Sequence, residues 1–199
     1  MDIDGALSTD PWFWFRDSFE RAQERESFDA SRAALATVDA ESRPSVRFVL
    51  VKLFDERGVA FFTNLQSTKA QHLDARPRAA LAFHWASIDE QVRFEGTVEH
   101  VSADESDAYF ATRPRGSQLS AWASEQSKPI ATRAALQANV AAVASRFVDQ
   151  PLVARPPFWG GFRLIPTRIE FWHNQDDRMH DRWSFTRLEH AWHLQRLQP

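Results

Sequence analysis

The stretch Ser45-Val-Arg-Phe-Val-Leu-Val-Lys-Leu-Phe-Asp-Glu-Arg-Gly58-Val-Ala-Phe-Phe-Thr-Asn64 reads as two strands around one tight turn. β-Branched and aromatic residues dominate Ser45 to Phe54 and return in Val59 to Asn64, a composition that packs well on a pleated, half-buried surface. Asp55-Glu-Arg-Gly58 is short and ends in glycine, so the second run folds back as the antiparallel partner of the first. Working outward, Ala33 to Asp39 is a strand joined through the Glu41-Ser-Arg-Pro44 turn. Arg78 to Trp85 and Glu90 to Val101 form a second hairpin. In the latter, Val92, Phe94, Gly96 and Val98 alternate with Gln91, Arg93, Glu95 and Thr97, giving one buried and one polar face. Trp159 to Trp172, Trp183 to Arg187 and Trp192 to Leu197 close the chain as three further strands.

Helices fall between the strands. Asp10 and Pro11 open one by N-cap and first-turn chemistry, and Trp12, Phe15, Phe19 and Ala22 then recur at helical spacing toward Arg25. Ser67 caps a short helix ending before Pro77. Ser102 and Glu105 make a capping box for a helix toward Thr112, and Thr132 to Phe147 is alanine-rich and helical. Six to eight strands in hairpins, with helices inserted rather than alternating, predict an α+β antiparallel barrel or sandwich with peripheral helices. No Gly-x-Gly-x-x-Gly or Walker loop is present, so any nucleotide has to be held by side chains.

The chain of 199 residues suits a single domain spanning 1–199, with residues 1–9 expected to be a flexible N-terminus. A net charge of -3 gives no bulk basicity for nucleic-acid binding, so phosphate recognition would be local. The absence of cysteine rules out disulfides and thiolate chemistry and fits a reducing compartment. No apolar run reaches membrane-spanning length, and a cytoplasmic protein is expected.

Basic residues carry the chemical signal. Arg47 and Lys52 interrupt an apolar strand, where an unpaired cation is costly. Their separation puts them on opposite faces of a regular strand, so they serve two sites, or the strand bulges, or both snorkel to the strand ends. Lys69 sits in the first turn of the helix after Ser67-Thr68, where free N–H groups favour an anion. Tyr109, Arg113 and Ser117 recur at spacings of four and would share a helix face, although Pro114 interrupts it. If Ile169 to Trp183 is extended throughout, Arg178, His180 and Arg182 project from one face as an anion-binding row. A metal cluster of His173, Asp176, Asp177, His180 and Asp181 is not expected, because its spacing is unfamiliar and the interleaved arginines repel a cation. Asn174-Gln-Asp-Asp177 is better read as a solvated turn.

Taken together, Arg47-Phe-Val-Leu-Val-Lys52, Phe61-Phe-Thr-Asn64, Thr68-Lys69, Gln91-Val, Arg113-Pro-Arg-Gly-Ser117, Gln126-Ser127, Phe158-Trp-Gly-Gly-Phe162, Glu170-Phe-Trp to Arg182 and Arg196-Leu-Gln-Pro199 resemble the pyridoxine/pyridoxamine 5'-phosphate oxidase family. The resemblance implies an FMN-binding split β-barrel of Greek-key type, forming a homodimer with flavins in clefts between the subunits. It places Arg47, Phe48, Val49, Leu50, Val51, Lys52, Phe62, Thr63, Thr68, Lys69, Gln91, Gln126, Ser127, Trp172 and Arg182 around FMN. Lys52, Tyr109, Arg113, Ser117, Arg178, Met179 and His180 would hold the substrate, with Arg178 and His180 nearest the chemistry.

The implied reaction is oxidation of pyridoxamine or pyridoxine 5'-phosphate to pyridoxal 5'-phosphate, with hydride passing from the substrate's C4' to flavin N5. Oxygen would reoxidise the flavin to give hydrogen peroxide, and the amine's imine would hydrolyse to aldehyde and ammonia. The chain departs from the family pattern at Thr68, where arginine is common, and at Phe62, where tyrosine is common. Lys128-Pro129 replaces the more usual Ser-Arg, and no Arg-Arg-x-Tyr segment precedes Pro11. The alternatives are a phenazine-biosynthesis-type FMN oxidase, whose substrate lacks a phosphate, and a non-catalytic flavin or pyridoxal-phosphate binding protein.

Overall fold

The computed structural model describes residues 8–189 and 191–199. Residues 1–7 of the segment expected to be flexible lie outside the described residues, while the Ser8 carbonyl accepts a bond from Trp14 Nε1 at 3.0 Å. In chain order the elements are α1 (Pro11–Arg25), β1 (Arg32–Val38), β2 (Pro44–Asp55), β3 (Gly58–Asn64), α2 (Thr68–Ala75), β4 (Arg78–Trp85), β5 (Glu90–His100), α3 (Ala103–Thr112), α4 (Arg115–Ala123), α5 (Arg133–Arg146), β6 (Trp159–His173), β7 (Asp181–Arg187) and β8 (Trp192–Leu197).

The strands form one antiparallel sheet in the order β3-β2-β1-β4-β5-β6-β7-β8. An additional β3–β6 pairing closes the first six strands into a barrel, leaving β7 and β8 as an extension beyond the closure. The neighbours β3-β2-β1-β4 follow the Greek-key order, with α2 carrying the chain across from β3 to β4. The expected α+β split barrel with peripheral helices is therefore the fold.

Aromatic packing fills the barrel. Phe15 of α1 is fully buried and touches Phe19, Phe54, Phe83, Trp85 and Phe94 with centroids 4.9–6.1 Å away. Burying each such ring contributes roughly 1.5–3 kcal/mol, so α1 is an integral part of the core. Trp14, outside the helical stripe read from the sequence, packs on Phe171, Trp183 and Phe185 and joins α1 to the extension. A second cluster of Phe110, Phe147, Val153 and Trp159 ties the helices α3–α5 to the end of the barrel.

The N-caps behave as their chemistry requires: Asp10 accepts from Trp12 N, Ser102 from Glu105 N and Thr132 from Ala135 N. Ser67 occupies the N-cap position of α2 without capping it, because its hydroxyl accepts from Lys69 Nζ instead. Helix α4 was not read from the sequence, where Pro114 seemed only to stop a helix. Proline also starts one, and here it precedes Arg115.

At the irregularity between Glu95 and Gly96, strands β5 and β6 approach so closely that a Cβ on Gly96 would lie 2.0 Å from the Ile165 carbonyl oxygen. Gly96→Ala is expected to destabilise the protein by roughly 1–3 kcal/mol, since backbone has to move to admit the methyl group. Gly116→Ala, in α4 with nothing within 4 Å, is expected to be neutral or stabilising. Thermal unfolding of the two variants checks this, and equal midpoints would contradict it.

Candidate functional site

Barrel closure builds the site. The β3–β6 register sets Phe62 opposite Gly161 and Asn64 opposite Trp159. A Cβ on Gly161 would fall 2.8 Å from the Phe62 ring, so glycine is what lets that ring lie over β6. Phe62 then packs against both Tyr109 of α3 (4.3 Å, 24°) and Trp159 (5.4 Å, 8°), which lie 6.2 Å from each other, and the Arg113 guanidinium stands 4.9 Å from the Trp159 centroid. This cluster lines a cleft of about 410 Å³ together with Arg32 and the β2 segment Phe48, Val49, Leu50 and Lys52. Thr63, Lys69 and Gln126 line the remainder.

At one end of the cleft Lys69 is buried and donates to Thr63 Oγ1 (3.1 Å), Ser67 Oγ (3.3 Å) and Gln126 Oε1 (3.0 Å). Thr63 Oγ1 itself donates to Gln126 Oε1 at 2.8 Å. Arg47 donates to Leu35 O, Thr37 Oγ1 and Ser45 Oγ at 2.6–3.2 Å. Neither cation meets a carboxylate among the described residues. Burial, and then the adjacent Arg47 guanidinium, push the Lys69 ammonium down to about 8, and burial also lowers Arg47. Two neighbouring, partly desolvated cations without a counterion are a site for an anion of matching charge.

At the other end Lys52 Nζ donates to Asp29 Oδ2 and Ser31 Oγ, both at 3.1 Å. Arg47 and Lys52 thus serve two neighbourhoods, and the strand is also irregular at Lys52 itself, between Val51 and Leu53. Burial lowers Arg113 below the ordinary guanidinium value and raises the Tyr109 phenol. One guanidinium nitrogen of Arg113, Nη1, is buried with no partner. Tyr109 and Arg113 do not share one helix face with Ser117. Helix α3 ends at Thr112, Arg113 is extended (φ -72, ψ 144) ahead of Pro114, and Ser117 sits in the first turn of α4, outside the cleft lining. Val51 turns its side chain into the core. Thr68 N donates to Ser127 Oγ at 3.3 Å, so these two expected flavin residues adjoin each other at the start of α2.

The remaining expected residues stand elsewhere on the sheet. Gln91, Trp172 and Arg182 are register neighbours across β5, β6 and β7. Arg182 donates through Nε (3.1 Å) and Nη2 (2.8 Å) to Oε1 of Glu170, which is 3% exposed and also takes bonds from Arg93 and Arg168. Burial alone would raise the Glu170 carboxyl, but hydrogen bonds from Arg182 and Arg93 hold it below its usual range.

The expectation of Arg178, His180 and Arg182 on one strand face is corrected. A 3-10 turn spans Asp176–Arg178 with φ +54 at Asp177 and +62 at Arg178, and β7 begins only at Asp181. Turning β6 back into β7 consumes these residues, so Arg178 and Met179 are exposed on the turn. The His180 ring lies 4.6 Å from that of Trp172, and its Nδ1 accepts from Gln175 N.

Several site residues were not singled out in the sequence: Arg32, Asp29, Ser31, the ring of Trp159 and Glu170. The cost of an unpaired Lys52 signalled that a partner existed, yet nothing local identified Asp29.

Phe48 (71% exposed) and Val46 (69%) face outward on β2, beside Ala34 and Ala36 of β1 and then Ala80 and Ala82 of β4. The same face continues through Arg93 and Glu170 to Ser184. A flat face of this kind, apolar at one side and charged at the other, marks an interaction surface.

Comparison with known proteins accounts for these features together. A family model described as pyridoxamine 5'-phosphate oxidase matches residues 21–147, and one described as the pyridoxine 5'-phosphate oxidase C-terminal dimerisation region matches 159–199. A pyridoxine/pyridoxamine 5'-phosphate oxidase of Myxococcus xanthus is 50% identical over 97% of this chain and 93% of its own length. That of Anaeromyxobacter dehalogenans is 49% identical over the whole of both chains. Among solved structures, PhzG from Burkholderia lata, in complex with tetrahydrophenazine-1-carboxylic acid, superposes with a TM-score of 0.89 at 26% identity over the full length of both. A pyridoxamine 5'-phosphate oxidase-related, FMN-binding protein of Nostoc punctiforme shares the fold, with a TM-score of 0.76 at 19% identity over 97% of this chain and 100% of its own. The chain belongs to the pyridoxine/pyridoxamine 5'-phosphate oxidase family.

Proposed function

We propose that the protein is an FMN-dependent oxidase that converts pyridoxamine and pyridoxine 5'-phosphates to pyridoxal 5'-phosphate. Oxygen is the acceptor, hydrogen peroxide the product, and ammonia is released from the amine. The observation that carries this reading is the pairing, in one cleft, of two cationic groups that lack sufficient carboxylates. Lys69 with Arg47 suits the flavin phosphate, and Arg113 with Lys52 and Tyr109 suits the substrate phosphate. The orphaned Arg113 Nη1 and the buried Lys69, whose hydrogen bonds go only to neutral oxygens, fit anionic ligands.

When bound, FMN supplies the hydride acceptor and its reoxidation by oxygen. The chain's own residues position and neutralise. Thr63 and Gln126 orient Lys69, and the cluster of Tyr109, Phe62, Trp159 and Arg113 holds a phenol and a guanidinium at the substrate end, so little ordering is left for binding. Tyr109, with its phenol pushed up, stays a neutral hydrogen-bond donor.

Gln91, Trp172 and Arg182 stand outside the cleft of their own chain, as do Arg178 and His180. We assign them to the cleft of a second copy, paired through the outward face of β2, β1 and β4. In that homodimer Trp172 and Arg182 border the flavin, while Arg178 and His180 close over the substrate ring.

The superposition with PhzG keeps a phenazine-type substrate as the second reading. Purified protein assayed in air separates the two. Pyridoxal 5'-phosphate and peroxide formed from pyridoxamine 5'-phosphate support the oxidase. A flavin-loaded protein that turns over only unphosphorylated rings supports the second reading, and a protein that FMN cannot reconstitute removes both. Arg178→Ala is expected to raise the Michaelis constant about tenfold or more with FMN retained, the scale of one lost charge-assisted bond. Arg47→Ala is expected to weaken FMN instead, and the reverse pattern would undo the assignment.

Lys69 gives FMN binding a pH signature. Its pKa in the folded protein, about 8, lies below the ordinary 10.5, so the apoprotein bears the full cost of a buried charge below pH 8 and is relieved of it as pH rises toward 10.5. A phosphate restores the charged form. Between the second ionisation of the phosphate, at about pH 6, and about pH 8 FMN affinity is therefore expected to be nearly flat, and above about 8 to fall as binding takes up a proton, and Lys69→Met should abolish that upper slope. An equal slope in the variant, measured by flavin fluorescence, would contradict this origin.

A further inference from the structure

Arg32 lines the same cleft as Tyr109 and Arg113 and has no assigned role. It opens β1, across from Leu50 of β2, and directly follows Ser31, whose hydroxyl holds Lys52. Its guanidinium lies 5.0 Å from the centroid of Phe28, a cation–π contact that steadies the side chain without using its N–H groups. Among the described residues it makes no ion pair, unlike Lys52, which is bound to Asp29. The segment Phe28 to Arg32 thus forms a shelf at the substrate end: Phe28 steadies Arg32, and Asp29 with Ser31 fixes Lys52.

Charge matching at this end is incomplete without Arg32. Asp29 offsets Lys52, leaving Arg113 as one net positive charge. A phosphate monoester carries about -1.5 to -2 at neutral pH. Arg32 brings the cleft mouth to the balancing value with a fork of donors suited to phosphate oxygens.

We propose that Arg32 is a further substrate-binding residue, donating to the phosphate of the pyridoxal-type ligand from the start of β1. The inference rests on the reading of this end of the cleft as the substrate-phosphate site. It also makes Arg32 a determinant of preference for phosphorylated over free rings.

The test compares Arg32→Ala and Arg32→Lys holoenzymes with the unmodified one, using pyridoxal 5'-phosphate and pyridoxal as paired probes in calorimetry. Arg32 is exposed, so folding should survive its replacement. Arg32→Ala is expected to weaken pyridoxal 5'-phosphate about tenfold and leave pyridoxal unchanged, with Arg32→Lys between. Steady-state assays should then show a raised Michaelis constant for pyridoxamine 5'-phosphate, kcat within about twofold, and unchanged FMN affinity. Unchanged discrimination between the two probes would overturn the proposal. So would a weakened dimer in sedimentation with normal phosphate binding, which would make Arg32 an interface residue. If the unmodified protein binds pyridoxal 5'-phosphate over pyridoxal but oxidises nothing, the oxidase reading falls and Arg32 is still judged by the binding arm. If it makes no such distinction, both readings fall.

Discussion

The pairing of β3 with β6 is the constraint from which the site follows. It closes six strands into a barrel and, in the same register, brings Phe62 and Thr63 against Trp159 and Gly161. Without it, Phe62 would have no Trp159 to stack on and the Arg113 guanidinium would keep only the Phe110 ring, 5.5 Å away. The glycine at position 161 is a requirement of that contact, because any larger residue would collide with the Phe62 ring. A purely architectural interaction thus fixes the groups that face the ligand, which is how a rigid barrel limits the ordering cost of binding.

Charge is distributed differently in the cleft and in the rest of the fold. Buried Arg163 is ion-paired to Asp55 and Glu105, and Glu170 gathers three arginines. Arg47, Lys69 and Arg113 have hydroxyls, carbonyls or aromatic faces where carboxylates would stand. Leaving three partly buried cations short of counterions lowers the stability of the protein, a cost that the proposed anionic ligands would offset. Glu170 serves the opposite purpose, holding Arg182 rigid from below so that its guanidinium edge is presented at a fixed place on the outer face.

Much of this was legible in the sequence where local rules act alone. The hairpin of Ser45 to Asn64, the alternation of Glu90 to Val101 and the caps at Asp10 and Ser102 all correspond to elements of the fold. The failures have specific causes. Period-two reasoning put Arg178, His180 and Arg182 on one face, but turn residues Asp176 and Asp177 end the extended backbone before β7 starts. Spacing-of-four reasoning joined Tyr109 to Ser117 across a proline that separates two helices. Asp29 and Glu170 act through partners distant in sequence, which no local pattern identifies.

The division of the flavin-binding residues between the two copies of a homodimer is tested most directly by complementation. A Lys69→Ala chain and an Arg182→Ala chain, each deficient in FMN binding alone, are unfolded together and refolded as a mixture. If one chain supplies Lys69 and its partner supplies Arg182, each mixed dimer regains one intact site, and the mixture recovers FMN fluorescence quenching that neither parent shows. If all the flavin contacts come from a single chain, every site in the mixture carries one of the two lesions and no binding returns.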